Sequence, residues 1–173
     1  GFIDKLPGYQ DNRGPLIVDN RLGGNAINGM RVRGETLTTQ SIWDDTDIVH
    51  VVFDPIVVPD FHTYGGLRLI SSPKESLIVK FDGVDSGLLA HGRPLEIHDR
   101  IGGILQVLGQ PGSPVVLTSL HDDSHGAGVD PSGNPQIDTD QGYGSVDPQP
   151  GDWGTLQIDR YAHDRNVEVV YEQ

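Results

Sequence analysis

The sequence predicts an all-β protein whose short strands stack on one another in repeating coils. Three observations predict it. The 173 residues include 23 Gly and 12 Pro, a composition rich in turn-formers. Gly-led apolar segments recur at long spacing. No stretch carries the 3.6-residue apolar period of a helix for more than a turn or two.

The recurrence comprises Gly29-Met30-Arg31-Val32, Gly66-Leu67-Arg68-Leu69, Gly103-Ile104-Leu105-Gln106-Val107 and Gly154-Thr155-Leu156-Gln157-Ile158, whose glycines lie 37, 37 and 51 residues apart. The longer last gap contains a polar Gly/Asp/Pro segment, about His121 to Asp152, which reads as a loop inserted into the repeat. A second echo relates Pro15–Gly24 to Pro94–Gly103 through Pro, Leu, Arg, Gly and Gly at matching places. Following the Gly-led segments come β-branched runs: Ile48–Phe53, Leu77–Phe81, Val115–Leu120 and Val167–Tyr171. They read as strands, with alternation in Leu77-Ile78-Val79-Lys80-Phe81. One such coil cannot bury its apolar face alone and must stack on the next. The expected fold is therefore a parallel β-helix, a solenoid in which the four Gly-led segments form one parallel ladder. A β-sandwich or jelly roll is the alternative. Residues 1–173 are expected to form a single domain. The start at Gly1-Phe2-Ile3, without Met, suggests a mature or excised piece of a longer protein.

Twenty-five acidic against 12 basic residues give a net charge of −13. That balance repels phosphate backbones and argues against nucleic acid as a partner. It attracts divalent cations, calcium first among them. The longest apolar stretch, Ile48–Val58, is broken by His50, Asp54 and Pro55, far short of the roughly 20 apolar residues of a membrane-spanning helix. The chain has no Cys and so no disulfide.

The inserted loop is the principal candidate site. Asp138-Thr139-Asp140, with Asp147 and Asp152, places hard oxygen ligands on a Gly-rich backbone, and Asp122, Asp123 and Asp130 are further candidates. Gln141-Gly142-Tyr143 and Gln149 depart from an EF-hand loop. The segment reads either as an irregular calcium loop of modest affinity or as a solvated acidic loop. A second cluster, Asp44-Asp45-Thr46-Asp47, precedes a strand and is expected to cap a turn. His121 and His125 have the i, i+4 spacing of zinc-binding helices, but Asp122 replaces the Glu of that motif and Gly126-Ala127-Gly128 follows. Ser145 lies outside a nucleophile elbow. The Gly pairs beginning at 23, 65 and 102 lack a phosphate-loop Lys and read as turns. Trp43, Tyr64 and Trp153 are candidates for stacking on sugars, with packing the competing role for Trp153. Asp19, His98, Asp99 and Arg100 are the repeat-aligned suspects for catalysis, and their equivalence points to a role in turns.

The run Gly109-Gln110-Pro111-Gly112-Ser113-Pro114-Val115-Val116-Leu117-Thr118-Ser119-Leu120, followed by Asp122-Asp123, an Asp/Gly loop and Gly151-Asp152-Trp153-Gly154, resembles the rungs of right-handed parallel β-helix regions in large secreted bacterial adhesin-like surface proteins. The resemblance is clearest over Ile101 to Val170. It implies an extracellular or cell-surface location and a non-catalytic structural or adhesive role. Copies of the chain or flanking repeats of its parent are the expected partners, stacked head to tail, with polysaccharide a further one. A polysaccharide-degrading β-helix enzyme, a lyase or hydrolase, is the rival reading.

Overall fold

The structure is a computed structural model, and it describes residues 14–60, 66–94, 100–142 and 147–166. Those residues are all-β, without a helix and hence without a helix able to cross a membrane. Three parallel sheets hold most of the strands. The first has the order β1 (Met30–Val32), β3 (His50–Val52), β6 (Leu77–Phe81), β10 (Val115–Ser119). The second is β4 (Pro55–Val58), β7 (Gly83–Ala90), β11 (Trp153–Ile158), and the third is β2 (Gln40–Trp43), β5 (Gly66–Ile70), β9 (Ile104–Leu108). A short antiparallel pair joins β8 (Arg100–Ile101) to β12 (Arg165–Asn166). From β3 onward the chain visits first, second and third sheet in turn, then repeats that order through β11, with β8 interposed before β9. Parallel pairing is not the antiparallel pattern of a jelly roll.

The predicted runs at Ile48, Leu77 and Val115 become β3, β6 and β10, neighbours in the first sheet. The run Val167–Tyr171, the stretch Leu95–Asp99 and residues Tyr64, Gly65, Tyr143 and Ser145 lie outside the described residues. The single Gly-led ladder is not what forms. The Gly66 and Gly103 segments do pair, with Gly66 opposite Ile104, but Gly29 leads a strand of the first sheet and Gly154 sits in the second. Equal spacing fails because the circuits differ in length: Met30 pairs with His50, His50 with Val79, and Leu77 with Val115. What these glycines share is close approach. A Cβ on Gly103 would strike the Val58 carbonyl, and one on Gly154 the carbonyls of Ser86 and Val84. The echo at 15–24 is not structurally equivalent either, because Arg21 bridges to Val129 whereas Arg100 and Ile101 pair with β12.

Alternate residues of the three sheets point inward. Val52, Val79 and Phe81 from the first, Ile56, Val58, Leu88 and Ala90 from the second, and Trp43, Leu67, Leu69 and Leu105 from the third form one buried cluster. Burial of this apolar area is the main stabilising term. His50 lies in the same inward row as Val52, fully buried and stacked on Trp43 with ring centroids 5.2 Å apart. Trp43 is thus core, unavailable to a sugar. Trp153 stacks on Phe81 at 4.7 Å and packs against the cluster, the fastening role expected of it.

The outward face of the first sheet is also apolar. Val49, Val51 and Ile78 cluster there with Leu120, covered in part by Ile27 and by Ala127 of the inserted loop. The loop is docked by its backbone, with Asn28 N–H donating to the Thr139 carbonyl at 2.7 Å. The insertion therefore lies over a sheet face.

Candidate metal centre in the inserted loop

The inserted loop contains seven Asp between 121 and 152 and no Lys or Arg. Its counter-charge comes from the sheet beneath. Register places Val51, Lys80 and Thr118 side by side on β3, β6 and β10. Lys80 points into the underside of the loop, where it is 0% exposed. Its Nζ donates to the Asp122 carbonyl at 2.7 Å and the Ile137 carbonyl at 3.3 Å. Burial pushes its pKa down, and the carboxylates of Asp123, Asp122, Asp140 and Asp138 oppose that shift. In β6 the core buries Leu77, Val79 and Phe81 on the inward face, while on the outward face Lys80 is buried against the loop, so every residue of the strand is buried.

Of the seven candidate ligands, the structure gathers three. Asp123, Asp138 and Asp140 each offer a carboxylate oxygen within 4.8 Å of the others, a donor set that could hold a hard cation such as calcium. Burial raises the pKa of Asp123, its neighbours Asp138 and Asp140 raise it further, and the nearby Lys80 opposes the rise. The other four stand apart from this group. Burial opposes ionisation of Asp122, yet hydrogen bonds from Ser124, Thr118 and His125 outweigh it and hold its carboxyl below the usual range. Asp152 accepts from the Ser119 hydroxyl at 2.7 Å and from Gln149 N–H at 2.8 Å. Asp147 is exposed, and its carbonyl takes the Gln149 side chain at 3.0 Å. Asp130 closes its own turn by accepting from Ser132 and Asn134 N–H.

The histidines do not form a zinc pair, because no helix carries them and each meets a different carboxylate. His121 Nδ1 lies 2.9 Å from Asp140, and its Nε2 lies 4.0 Å from Asp82. That imidazole borders an apolar cavity of about 240 Å³ walled by Ile27, Phe53 and Leu120. His125 uses the same Nδ1 toward both Asp122, at 2.9 Å, and Ser124, at 2.8 Å. A serine relay needs the two ring nitrogens on opposite partners, so Ser124, His125 and Asp122 do not make one.

Sequence reasoning missed Lys80 and the His121–Asp140 pair. The signal for Lys80 was present: an acidic insertion without a basic residue requires a cation from outside it. The pairing of His121 with Asp140, 19 residues apart, had no local signature. Comparison with protein-family models, with curated proteins and with solved structures finds no match to this chain.

Proposed function

We propose that this chain is a stretch of right-handed parallel β-helix acting as a non-catalytic structural or adhesive module of a bacterial surface protein. It works by stacking against copies of itself or flanking repeats outside the cell. The observation that carries this reading is the strand order. Successive circuits visit the three sheets in the same sequence, and among the described residues β9, β10 and β11 are each the edge of their sheet. Val107 and Leu108 on β9 and Leu156 and Ile158 on β11 are exposed apolar residues on those edges. An unpaired parallel edge is a template for another strand. The charge of −13 opposes like-with-like stacking, so association strengthens as salt or calcium screens it. In the same reading calcium binds the loop at Asp123, Asp138 and Asp140 and stiffens it over the sheet. Light scattering across protein concentration, with and without calcium, tests the reading: mass should grow with concentration and salt, and a strict monomer throughout would reject it.

A polysaccharide-degrading enzyme is the second reading, favoured by one observation. His121 stands between the carboxylates of Asp140 and Asp82, a titratable group flanked by two acids. Release of unsaturated or reducing-end products from acidic polysaccharides, lost in His121→Ala, would replace the structural reading with this one.

A further inference from the structure

The turn between β2 and β3 brings a second set of acids together. Asp45 and Asp47 line a cavity of about 170 Å³ with Ile17, Val18, Asp19 and Glu75. Three chain segments meet there. Asp45 Oδ1 accepts from Ile17 N–H at 2.8 Å, and Asp47 Oδ2 accepts from Asp19 N–H at 2.7 Å. The Thr46 hydroxyl donates to Glu75 Oε2 at 2.8 Å. The turn does not simply cap itself, as the sequence suggests; it pins a segment 28 residues earlier.

One atom in this arrangement is unexplained. Asp45 is 5% exposed, and its Oδ2 is buried with no hydrogen-bond partner. A buried carboxylate oxygen without a donor is costly, and a bound water or ion is one of the ways native proteins satisfy such an atom. Among the described residues the lining includes no Lys, Arg or His.

We propose that this cavity binds a divalent metal cation of the calcium class, with Asp45 Oδ2 as its buried ligand and the carboxylates of Asp47, Asp19 and Glu75 around it. The donors are all hard oxygens, which suit calcium over softer metals. A carboxylate that gives one oxygen to an N–H still has the other for an ion, which is the position of Asp45. These carboxylates are not drawn to one point as Asp123, Asp138 and Asp140 are, so Asp19 and Glu75 close on the ion as it binds. That requirement places the affinity at the weak end, with a Kd of about 10⁻⁴ to 10⁻³ M. Bound there, the ion fastens residues 17–19 to the start of the first sheet. The site shares no residue with the loop group and stands or falls independently of it.

Hydrogen exchange read by mass spectrometry on the full chain, in chelator and in about 10 mM calcium, tests the proposal locally. Calcium should slow exchange of peptides covering 15–20 and 43–48 at least about tenfold. Asp45→Asn, which keeps the acceptor for Ile17, should abolish that protection, whereas Asp138→Asn should leave it intact. Glu75→Gln, an exposed change that leaves the fold alone, should raise the half-saturating calcium about tenfold. Wild-type protein without calcium protection at 15–20, or protection that survives Asp45→Asn, overturns the site. So does protection that disappears in Asp138→Asn. If Asp45→Asn does not fold, an unchanged half-saturation in Glu75→Gln overturns it instead.

Discussion

The Lys80 ammonium lies 2.7 Å from the carbonyl oxygen of Asp122, 42 residues further along the chain. This contact joins the outward face of the first sheet to the acidic loop and sets a basic group beneath its carboxylates. It also explains how seven aspartates are tolerated over an apolar sheet face.

Lys80→Met keeps the stem and removes the charge. It leaves two carbonyls without a donor and the carboxylates of Asp122, Asp123, Asp138 and Asp140 without their cation. Breaking a buried charge arrangement by removing one partner costs about 3–5 kcal/mol, and the loss here should fall in that range near neutral pH. Because the pKa of Asp123 is already raised, acid relieves part of the repulsion in the variant, so its deficit should shrink as pH falls. Urea unfolding of both proteins at about pH 7 and pH 5 checks the size and the sign. An equal deficit at both pH values would mean that Lys80 acts through packing alone.

How much of this was legible in the sequence depends on whether a signal was local. The β-branched runs at Ile48, Leu77 and Val115 were readable as strands because their composition suits a buried pleated surface, and they do form neighbouring strands. The glycine spacing misled because a Gly at a strand start records a close approach of backbone, which recurs in every sheet. Asp138 and Asp140 were readable as ligands from their own spacing. Asp123 joins them in place of Asp147 and Asp152 through the path of the loop, which no spacing specifies. His50 reads as an interruption of an apolar run, yet it is a core residue stacked on Trp43.

That histidine makes stability depend on acid. Burial lowers the His50 pKa from 6.5 to about 4, opposed only by the Ile48 backbone, and neither ring nitrogen has a hydrogen-bond partner. The unfolded chain therefore binds a proton that the folded chain refuses between those two values. The His50 contribution is full above about pH 6.5 and is lost as pH falls toward 4, on the order of 3 kcal/mol in all. His50→Phe, a ring of similar size that can stack on Trp43, should remove this loss. The variant should be the more stable protein near pH 4.5, with the difference vanishing near pH 7. Parallel urea midpoints across this range would expose the reverse order if His50 finds a partner in solution.

Asp45 acts with the opposite sign. Its folded pKa of about 6 exceeds the ordinary 3.8, so the folded chain binds more protons between those values, and stability falls as pH rises through the window. In chelator, Asp45→Asn should remove that decline and gain up to about 3 kcal/mol of electrostatic strain energy near pH 7. Calcium should narrow the gap by stabilising the wild type alone. Thermal or urea unfolding in chelator would refute this account if the variant is less stable near neutral pH and no less stable near pH 4.

Edge pairing makes a position-specific prediction about association. Leu156 lies on β11, which pairs with β7 on one side and is, among the described residues, the edge of the second sheet. Val84 is 74% exposed near the start of β7, an inner strand of the described sheet that pairs with β11 and, from Gly87 onward, with β4. Leu156→Lys and Val84→Lys change the net charge equally, so each weakens the general repulsion between copies to the same degree. Only the first places a charge on a strand that a second copy would have to pair with, and charged edge residues are an effective block to such pairing. Leu156→Lys should therefore reduce the average mass seen by light scattering at high protein concentration and moderate salt, while Val84→Lys should match or slightly exceed the wild type. Equal association in the two variants would place the contact away from β11, and with it the surface through which the module stacks.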